Sequence, residues 1–432
     1  MMFPLYTLAY CGATMALSPY YLVKGLASGK YLWSLSARLG VADISLEPKS
    51  TFRIWVHTLS LGETLSVLAL ITRLKNEGYE VCLSTTTRSG RQIARARFSE
   101  KAKIIQFPYD WPPAVRRVQD KVQPDLFVLV ETDIWPNFLA RLERERIPIV
   151  LINARVSPRS YARYRLVKRW WRRVLNLFTF IGVQTVLDKQ RMLDLGAGSD
   201  RVVVTGNLKF DQPQPEAGSG VLESLLAESG LPRGVWLVGG STHPGEDEAL
   251  LEIFTELAPS FPELKLLLAP RNKSRFEPVW RLIQQRNLKA ARRSGPKPCA
   301  DIKIFLLDTQ GELERFFELA DVVFIGKSLP GSGEGGGHNL LEPAAHFKPV
   351  LFGPRMQNFK EIAQSILSAG GGIQVADQEE LKMVLSTLLA CPEKRKELGQ
   401  QARGVVEAHQ GAVDRNMDLI TRALALRGTV GL

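Results

Sequence analysis

A chain of 432 residues with 45% hydrophobic and 23% charged side chains is too long for one ordinary core and too apolar for a disordered segment, which leaves about two folded domains. The formal net charge of +12 and a pI of 9.5 call for an anionic partner, whether nucleic acid, phospholipid or a phosphorylated substrate. Cys11, Cys82, Cys299 and Cys391 form no CxxC pair, which argues against a zinc site and a disulfide framework and favours a reducing compartment.

Residues 1–23 carry no charged side chain and are mostly apolar, with Tyr6, Tyr10, Tyr20 and Tyr21 interspersed. About 20 helical residues at roughly 1.5 Å each cross a hydrocarbon core, so the run is expected to be a membrane-anchor helix, spanning the bilayer or lying at its surface. A buried N-terminal helix is the alternative. No positive n-region precedes it, which argues against a cleaved signal peptide, and Lys24, Lys30 and Arg38 in a connecting basic segment, 24–50, would hold the remainder in the cytoplasm.

A first domain is expected over residues 51–211. Strands are read at Phe52 to Thr58, Val81 to Ser84, Ile104 to Pro108, Asp125 to Val130, Ile149 to Asn153 and Val202 to Thr205, with helices between them, such as one from Leu65 to Leu74 and one starting at Arg91. Polar clusters follow the strands: Ser60 to Thr64, Thr85 to Gly90, Glu131 to Pro136, Ala154 to Ser157 and Gly206 to Asp211. Alternation of strand and helix implies a parallel sheet, which presents all these clusters at one rim. Glu63, at a strand-to-helix junction, suits either a general base or a carboxylate that merely favours the helix dipole. Between Arg155 and Arg173 a single helix is expected in which basic residues crowd Trp170 and Trp171. That pairing fits an anionic membrane surface, a nucleic-acid patch or a solvated helix face.

Residues 212–220, rich in proline and glycine, read as a linker, and 221–432 as a second α/β domain. Its strands are read at Val235 to Gly239, Leu264 to Ala269, Ile302 to Leu307, Asp321 to Ile325 and Pro349 to Phe352. The fourth leads through the glycines of residues 331–337 to Asn339, a helix N-cap with Glu342 three residues on. Such a turn either cradles a phosphate at a helix N-terminus or is a flexible surface loop. Neither GxxxxGK[ST] nor a GxGxxG after the first strand occurs, which disfavours ATP hydrolysis and NAD chemistry.

Eight short motifs in chain order carry a resemblance: Ser60 to Glu63, Glu131 to Pro136, Asn153 to Arg155, Gly206 to Asp211, Ser241 to His243, Ala269 to Arg271, Gly311 to Leu313 and Gly337 to Glu342. The chain resembles the 3-deoxy-D-manno-octulosonic acid (Kdo) transferases of lipopolysaccharide synthesis. The resemblance implies a GT-B glycosyltransferase with two Rossmann-like domains and an N-terminal anchor. It implies transfer of Kdo from CMP-Kdo to the lipid A precursor, lipid IVA, at the cytoplasmic face of the inner membrane, without metal, cofactor or nucleic acid. By matching positions it makes Glu63 the general base, has Glu131 and Lys209 support the transition state, and assigns CMP to Pro270, Arg271, Gln310, Gly311, Glu312, Asn339, Leu340, Leu341 and Glu342. Lys327 stands where the family pattern has a glycine, Leu341 where proline is frequent, and residues 330–335 form a longer segment than usual. Other GT-B enzymes acting on lipid-linked sugars, such as lipid A disaccharide synthase, are the near alternative, and a non-catalytic basic membrane or nucleic-acid binder the distant one.

Overall fold

The computed structural model describes residues 3–28, 35–211, 221–298, 301–331, 333 and 335–428; the expected linker, 212–220, lies outside them. The chain divides into two compact units, Met1–Pro213 with His409–Leu432, and Gln214–Ala408.

In unit 1 the strands are β1 (Arg53–Thr58), β2 (Glu80–Thr85), β3 (Lys103–Gln106), β4 (Leu126–Val130), β5 (Ile149–Ala154), β6 (Phe180–Val183) and β7 (Val202–Val204). They pair in parallel in the order β3-β2-β1-β4-β5-β6-β7. β1 and β4 are buried along their whole length; β4 is the unbroken apolar run that helices on both faces demand, while β1 also buries Arg53, His57 and Thr58. From β1 the chain winds outward through β2 and β3, then returns to place β4 on the other side. The carboxyl ends of β1 and β4 therefore flank a topological switch point, where α/β sheets bind ligands.

Unit 2 repeats the plan with β8 (Val235–Thr242), β9 (Leu264–Pro270), β10 (Ala290–Arg292), β11 (Ile304–Leu306), β12 (Val322–Ile325), β13 (Val350–Phe352) and β14 (Gly372–Gln374), all parallel, ordered β10-β11-β9-β8-β12-β13-β14. Here the switch point lies between β8 and β12.

Three expectations are corrected. The second domain does not run to the C-terminus. The last helix, Ala412–Gly428, buries Leu419, Ile420, Ala423 and Leu424 against Val128, Val150 and Ile152 of the first sheet. Each fully buried Leu or Ile contributes about 1.5–3 kcal/mol, so this stripe fixes the helix to unit 1. The basic segment forms two helices, Pro158–Leu166 and Lys168–Leu175, because Val167 leaves the helical region at φ −120, ψ 36. Trp171 is buried against Tyr164, ring centroids 4.1 Å apart, and Leu166 and Val167 are what the break exposes.

The third concerns the N-terminus. A helix does form over Pro4–Ser28, but among the described residues no helix is long and apolar enough to cross a membrane. At 25 residues its length suffices, so hydropathy falls short, lowered by Thr7, Thr14, Ser18 and the tyrosines. One face docks on unit 1. Phe3 is buried edge-on to Trp170, Thr7 Oγ1 donates to Asn137 Oδ1 at 2.7 Å, and Tyr10 Oη accepts from the Asp110 amide at 3.2 Å. Asp110 itself caps the helix Pro136–Arg144, accepting from the Asn137 and Phe138 amides, and burial drives its carboxyl up to about 7. Leu5, Leu8 and Met15 face outward.

Candidate functional site

Backbone conformation marks the two rims. Away from helix ends, non-glycine residues with positive φ fall at the carboxyl ends of strands: Glu131 (61°) after β4, Asn153 (54°) in β5, Ser241 (54°) in β8 and Lys327 (60°) after β12. Such residues each cost about 1–3 kcal/mol and persist where the surrounding structure holds them, typically at ligand sites.

On the unit 1 rim, the chain leaving β1 enters the helix Leu61–Ser66 directly, so the expected turn at Ser60 to Thr64 is already helical. A second helix, Leu68–Asn76, follows after Val67. Ser60 caps the helix and Glu63 folds back on it: Ser60 Oγ accepts from the Glu63 amide and donates to Glu63 Oε1 at 3.0 Å, while Glu63 Oε2 accepts from the Leu59 amide at 2.6 Å. Glu63 is 7% exposed, and each of its oxygens keeps a further lone pair. Glu131 follows the adjacent strand, its amide donating to the Ile152 carbonyl. Asn153 Oδ1 accepts from the Leu208 amide at 3.1 Å, and Asn207 Oδ1 accepts from the Lys209 amide at 3.0 Å. These bonds carry the short 3-10 segment Leu208–Asp211, and Lys209 with it, to the end of β5. Glu63, Glu131 and Lys209 thus come from three distant stretches to one rim.

On the unit 2 rim, Pro270 ends β9, and the Arg271 amide donates to the Thr242 carbonyl at 3.1 Å, which sets the exposed guanidinium beside the end of β8. Gln310 and Gly311 are exposed on the loop after β11. Glu312 is turned back into that loop: the Arg293 guanidinium holds its carboxyl below the ordinary range, with the Thr309 hydroxyl adding to it.

The helix following the glycines begins one residue later than expected and is only five residues long, Leu341–Ala345. Asn339 still serves its start, accepting from the Leu341 amide through Oδ1 at 3.1 Å and donating to Glu342 Oε1 at 3.2 Å. A single turn builds little dipole, and its first amide is already taken, so a phosphate grip at this helix end is weaker than the sequence suggests. Leu340 and Leu341 are buried and contribute backbone and packing rather than side-chain contacts. Desolvation raises the Glu342 carboxyl, opposed by the Asn339 amide and the nearby Arg271 charge. The glycine loop is pinned where described, the Gly336 and Gly337 amides donating to the Arg355 and Lys327 carbonyls.

Four residues of this rim received no role from the sequence. Glu246, almost fully buried, accepts from four amides: His243 at 2.9 Å, Lys327 at 2.7 Å, Ser328 at 2.9 Å and Leu329 at 3.1 Å. Successive amides of this kind form an anion nest, here filled by the protein's own carboxylate. Gly326 makes the fit possible, since a Cβ there would lie 2.6 Å from the Ser241 carbonyl oxygen. His243 Nε2 and His338 Nε2 lie 3.1 Å apart, so one nitrogen must donate and the other accept. Burial, then the charges of Arg271, His243 and Lys327, drive His338 down to about 3, and burial and Lys327 also lower His243. A neutral histidine pair among Arg271, Lys327 and Arg275 suits an anion, for which it supplies a hydrogen bond without a further desolvated cation. Both histidines sit in motifs singled out above, and that was the available signal.

This geometry sets a pH dependence. The unfolded chain protonates His338 near pH 6.5 and the folded chain only near 3, so stability is fully present above 6.5 and declines as pH falls toward 3. His338→Gln is expected to flatten that decline in the melting temperature measured against pH; an unchanged slope would assign it to other groups.

Residues 34–212 match the family described as 3-Deoxy-D-manno-octulosonic-acid transferase (kdotransferase). The chain is 31% identical over 398 residues to the 3-deoxy-D-manno-octulosonic acid transferase of Haemophilus influenzae, covering 91% of this chain and 92% of that one. It is 32% identical over 404 residues to that of Bordetella pertussis, with 91% and 92% covered. A solved glycosyltransferase from Rickettsia africae has the same fold, with a TM-score of 0.55 at 13% identity, covering 87% of this chain and 99% of that one. The chain, two parallel-sheet α/β units with GT-B-like glycosyltransferases among its structural neighbours, therefore belongs to the 3-deoxy-D-manno-octulosonic-acid transferase family of glycosyltransferases.

Proposed function

We propose that this protein transfers Kdo from CMP-Kdo to lipid IVA, with unit 1 taking the acceptor and unit 2 the nucleotide. The observation that carries this is the gathering, on the carboxyl-end rim of each sheet, of the residues matched by family resemblance: Glu63, Glu131 and Lys209 on one, Pro270, Arg271 and Asn339 to Glu342 on the other. The acceptor hydroxyl oxygen bonds to the anomeric carbon as the bond to the CMP phosphate oxygen breaks. Glu63 receives the hydroxyl proton on a remaining lone pair, its carboxylate oriented by the Leu59 amide and the Ser60 hydroxyl. Glu131 and Lys209 support the transition state, and Arg271 with Lys327 takes up the charge that develops on CMP. In this reading the cations do the work a metal would otherwise do, and turnover is expected to persist in EDTA. Incubation with CMP-Kdo and lipid IVA, read by product mass, tests it: a product heavier by one or more Kdo units is expected, and its absence while another nucleotide sugar reacts would redirect the assignment.

The reading places the protein on the cytoplasmic face of the inner membrane, with the N-terminal helix lying on the bilayer rather than spanning it. Support comes from outward-facing Leu5, Leu8 and Met15 and from exposed Leu166 and Val167 among Arg163, Arg165, Lys168 and Arg169. Leu5→Asp with Leu8→Asp removes two side chains that would each contribute about 1.5–3 kcal/mol to insertion. Co-sedimentation with anionic vesicles is expected to fall by at least about tenfold with the melting temperature unchanged. Undiminished pelleting would remove the helix from the membrane contact.

A further inference from the structure

A chain of hydrogen bonds runs through unit 1 beside the residues already assigned. Trp55 Nε1 lies 2.7 Å from Ser84 Oγ, Ser84 Oγ lies 2.9 Å from His57 Nδ1, and His57 Nε2 lies 3.2 Å from Asp133 Oδ2. Trp55, Ser84 and His57 are fully buried at 0% exposure, whereas the Asp133 side chain is 14% exposed. An indole nitrogen only donates, so Ser84 Oγ accepts from Trp55. A carboxylate only accepts, so the imidazole proton facing Asp133 lies on Nε2, and Nδ1 takes the Ser84 hydroxyl proton. The ring itself is held flat against Phe107, centroids 3.8 Å apart at 20°, and stays in register with the strand end.

Burying three polar groups in an aromatic core costs stability that an apolar trio would not, and the return on this arrangement is the orientation of one carboxylate. Asp133 lies three residues beyond the end of β4 and two beyond the left-handed Glu131, on the rim assigned to the acceptor. Its Oδ2 is occupied by His57, and among the described residues its Oδ1 has no hydrogen-bond partner.

We propose that Asp133 is a further acceptor-binding carboxylate, taking a hydroxyl proton donor of the sugar acceptor through Oδ1, and that His57 is the positioning residue that fixes it through Nε2, its ring held by Ser84 at Nδ1 and by Phe107. The inference rests on the reading of unit 1 as the acceptor side.

Steady-state kinetics on the full chain with CMP-Kdo and lipid IVA test it. Asp133→Asn is expected to raise the acceptor KM by about tenfold to a hundredfold, the range for a lost charge-assisted hydrogen bond, with the KM for CMP-Kdo unchanged. His57→Gln keeps an N–H near Nε2 and is expected to stay within about threefold of the parent, whereas His57→Leu reproduces Asp133→Asn and adds nothing to it in the double variant. Should His57→Leu fail to fold, Ser84→Ala decides, because it releases the Nδ1 side of the ring and should raise the acceptor KM alone. An acceptor KM unaltered in Asp133→Asn, or equal losses for both substrates, would overturn the inference while parental turnover leaves the functional reading intact. A parent chain inactive on these two substrates would overturn that reading first.

Discussion

Glu63→Gln is expected to fold, to bind CMP with parental affinity and to turn over at least about a hundredfold more slowly, since general bases contribute about 10² to 10⁴ in rate. The two bonds that anchor the side chain make this a clean measurement. Glutamine can still accept from the Leu59 amide through its carbonyl and donate to Ser60 Oγ through its amide, so both anchoring bonds survive with only the serine proton turned away. What is lost is the basic lone pair. If Glu63 were only a helix-start residue, the substitution would cost a few tenths to about 1 kcal/mol of stability and leave turnover within a few fold. That result would move the search for the base to Glu131, which stands on the neighbouring strand of the same switch point. Single-turnover rates with CMP-Kdo in excess separate the two cases.

Arg271→Ala is expected to weaken CMP binding by about 1.5–3 kcal/mol, roughly tenfold to a hundredfold, as read by calorimetry. Its backbone is tied to Thr242 whatever the side chain, so the loop should keep its course and the loss should report the guanidinium itself. A secondary effect follows from the same charge. Arg271 ranks directly after burial among the causes that depress His338, so its removal should let that imidazole protonate at a higher pH. Proton NMR of the histidine ring would show the upward movement. Unchanged CMP affinity in a folded variant would take Arg271 out of the nucleotide site.

Periodicity was enough to read the parallel α/β plan, because fully buried strands such as Leu126–Val130 are unbroken apolar runs between amphipathic helices. It also brought Glu63, Glu131 and Lys209 to one rim, since every βα loop of a parallel sheet opens on the same side. What stayed hidden depends on partners far along the chain. Glu246 looks like an ordinary first-turn acid, yet three of its amide donors lie 81, 82 and 83 residues away. Trp171 fits a lipid-facing stripe until a backbone break at Val167 turns it inward. The short strands Phe180–Val183, Ala290–Arg292 and Gly372–Gln374 are too brief and too mixed to signal themselves and are ordered by their neighbours.

The return of the last helix to unit 1 has a consequence for how the protein is made. Unit 2, Gln214–Ala408, is an insertion in the chain of unit 1, whose closing helix is made only after it. At about 5–20 residues per second, synthesis of that insertion takes roughly 10 to 40 s. For that interval the nascent first sheet holds Val128, Val150 and Ile152 without the Leu419, Ile420 and Leu424 that cover them in the finished molecule. Ribosome-bound chains arrested before His409 should therefore expose an apolar face on unit 1 that released chains do not, and should recruit hydrophobic-binding chaperones during translation.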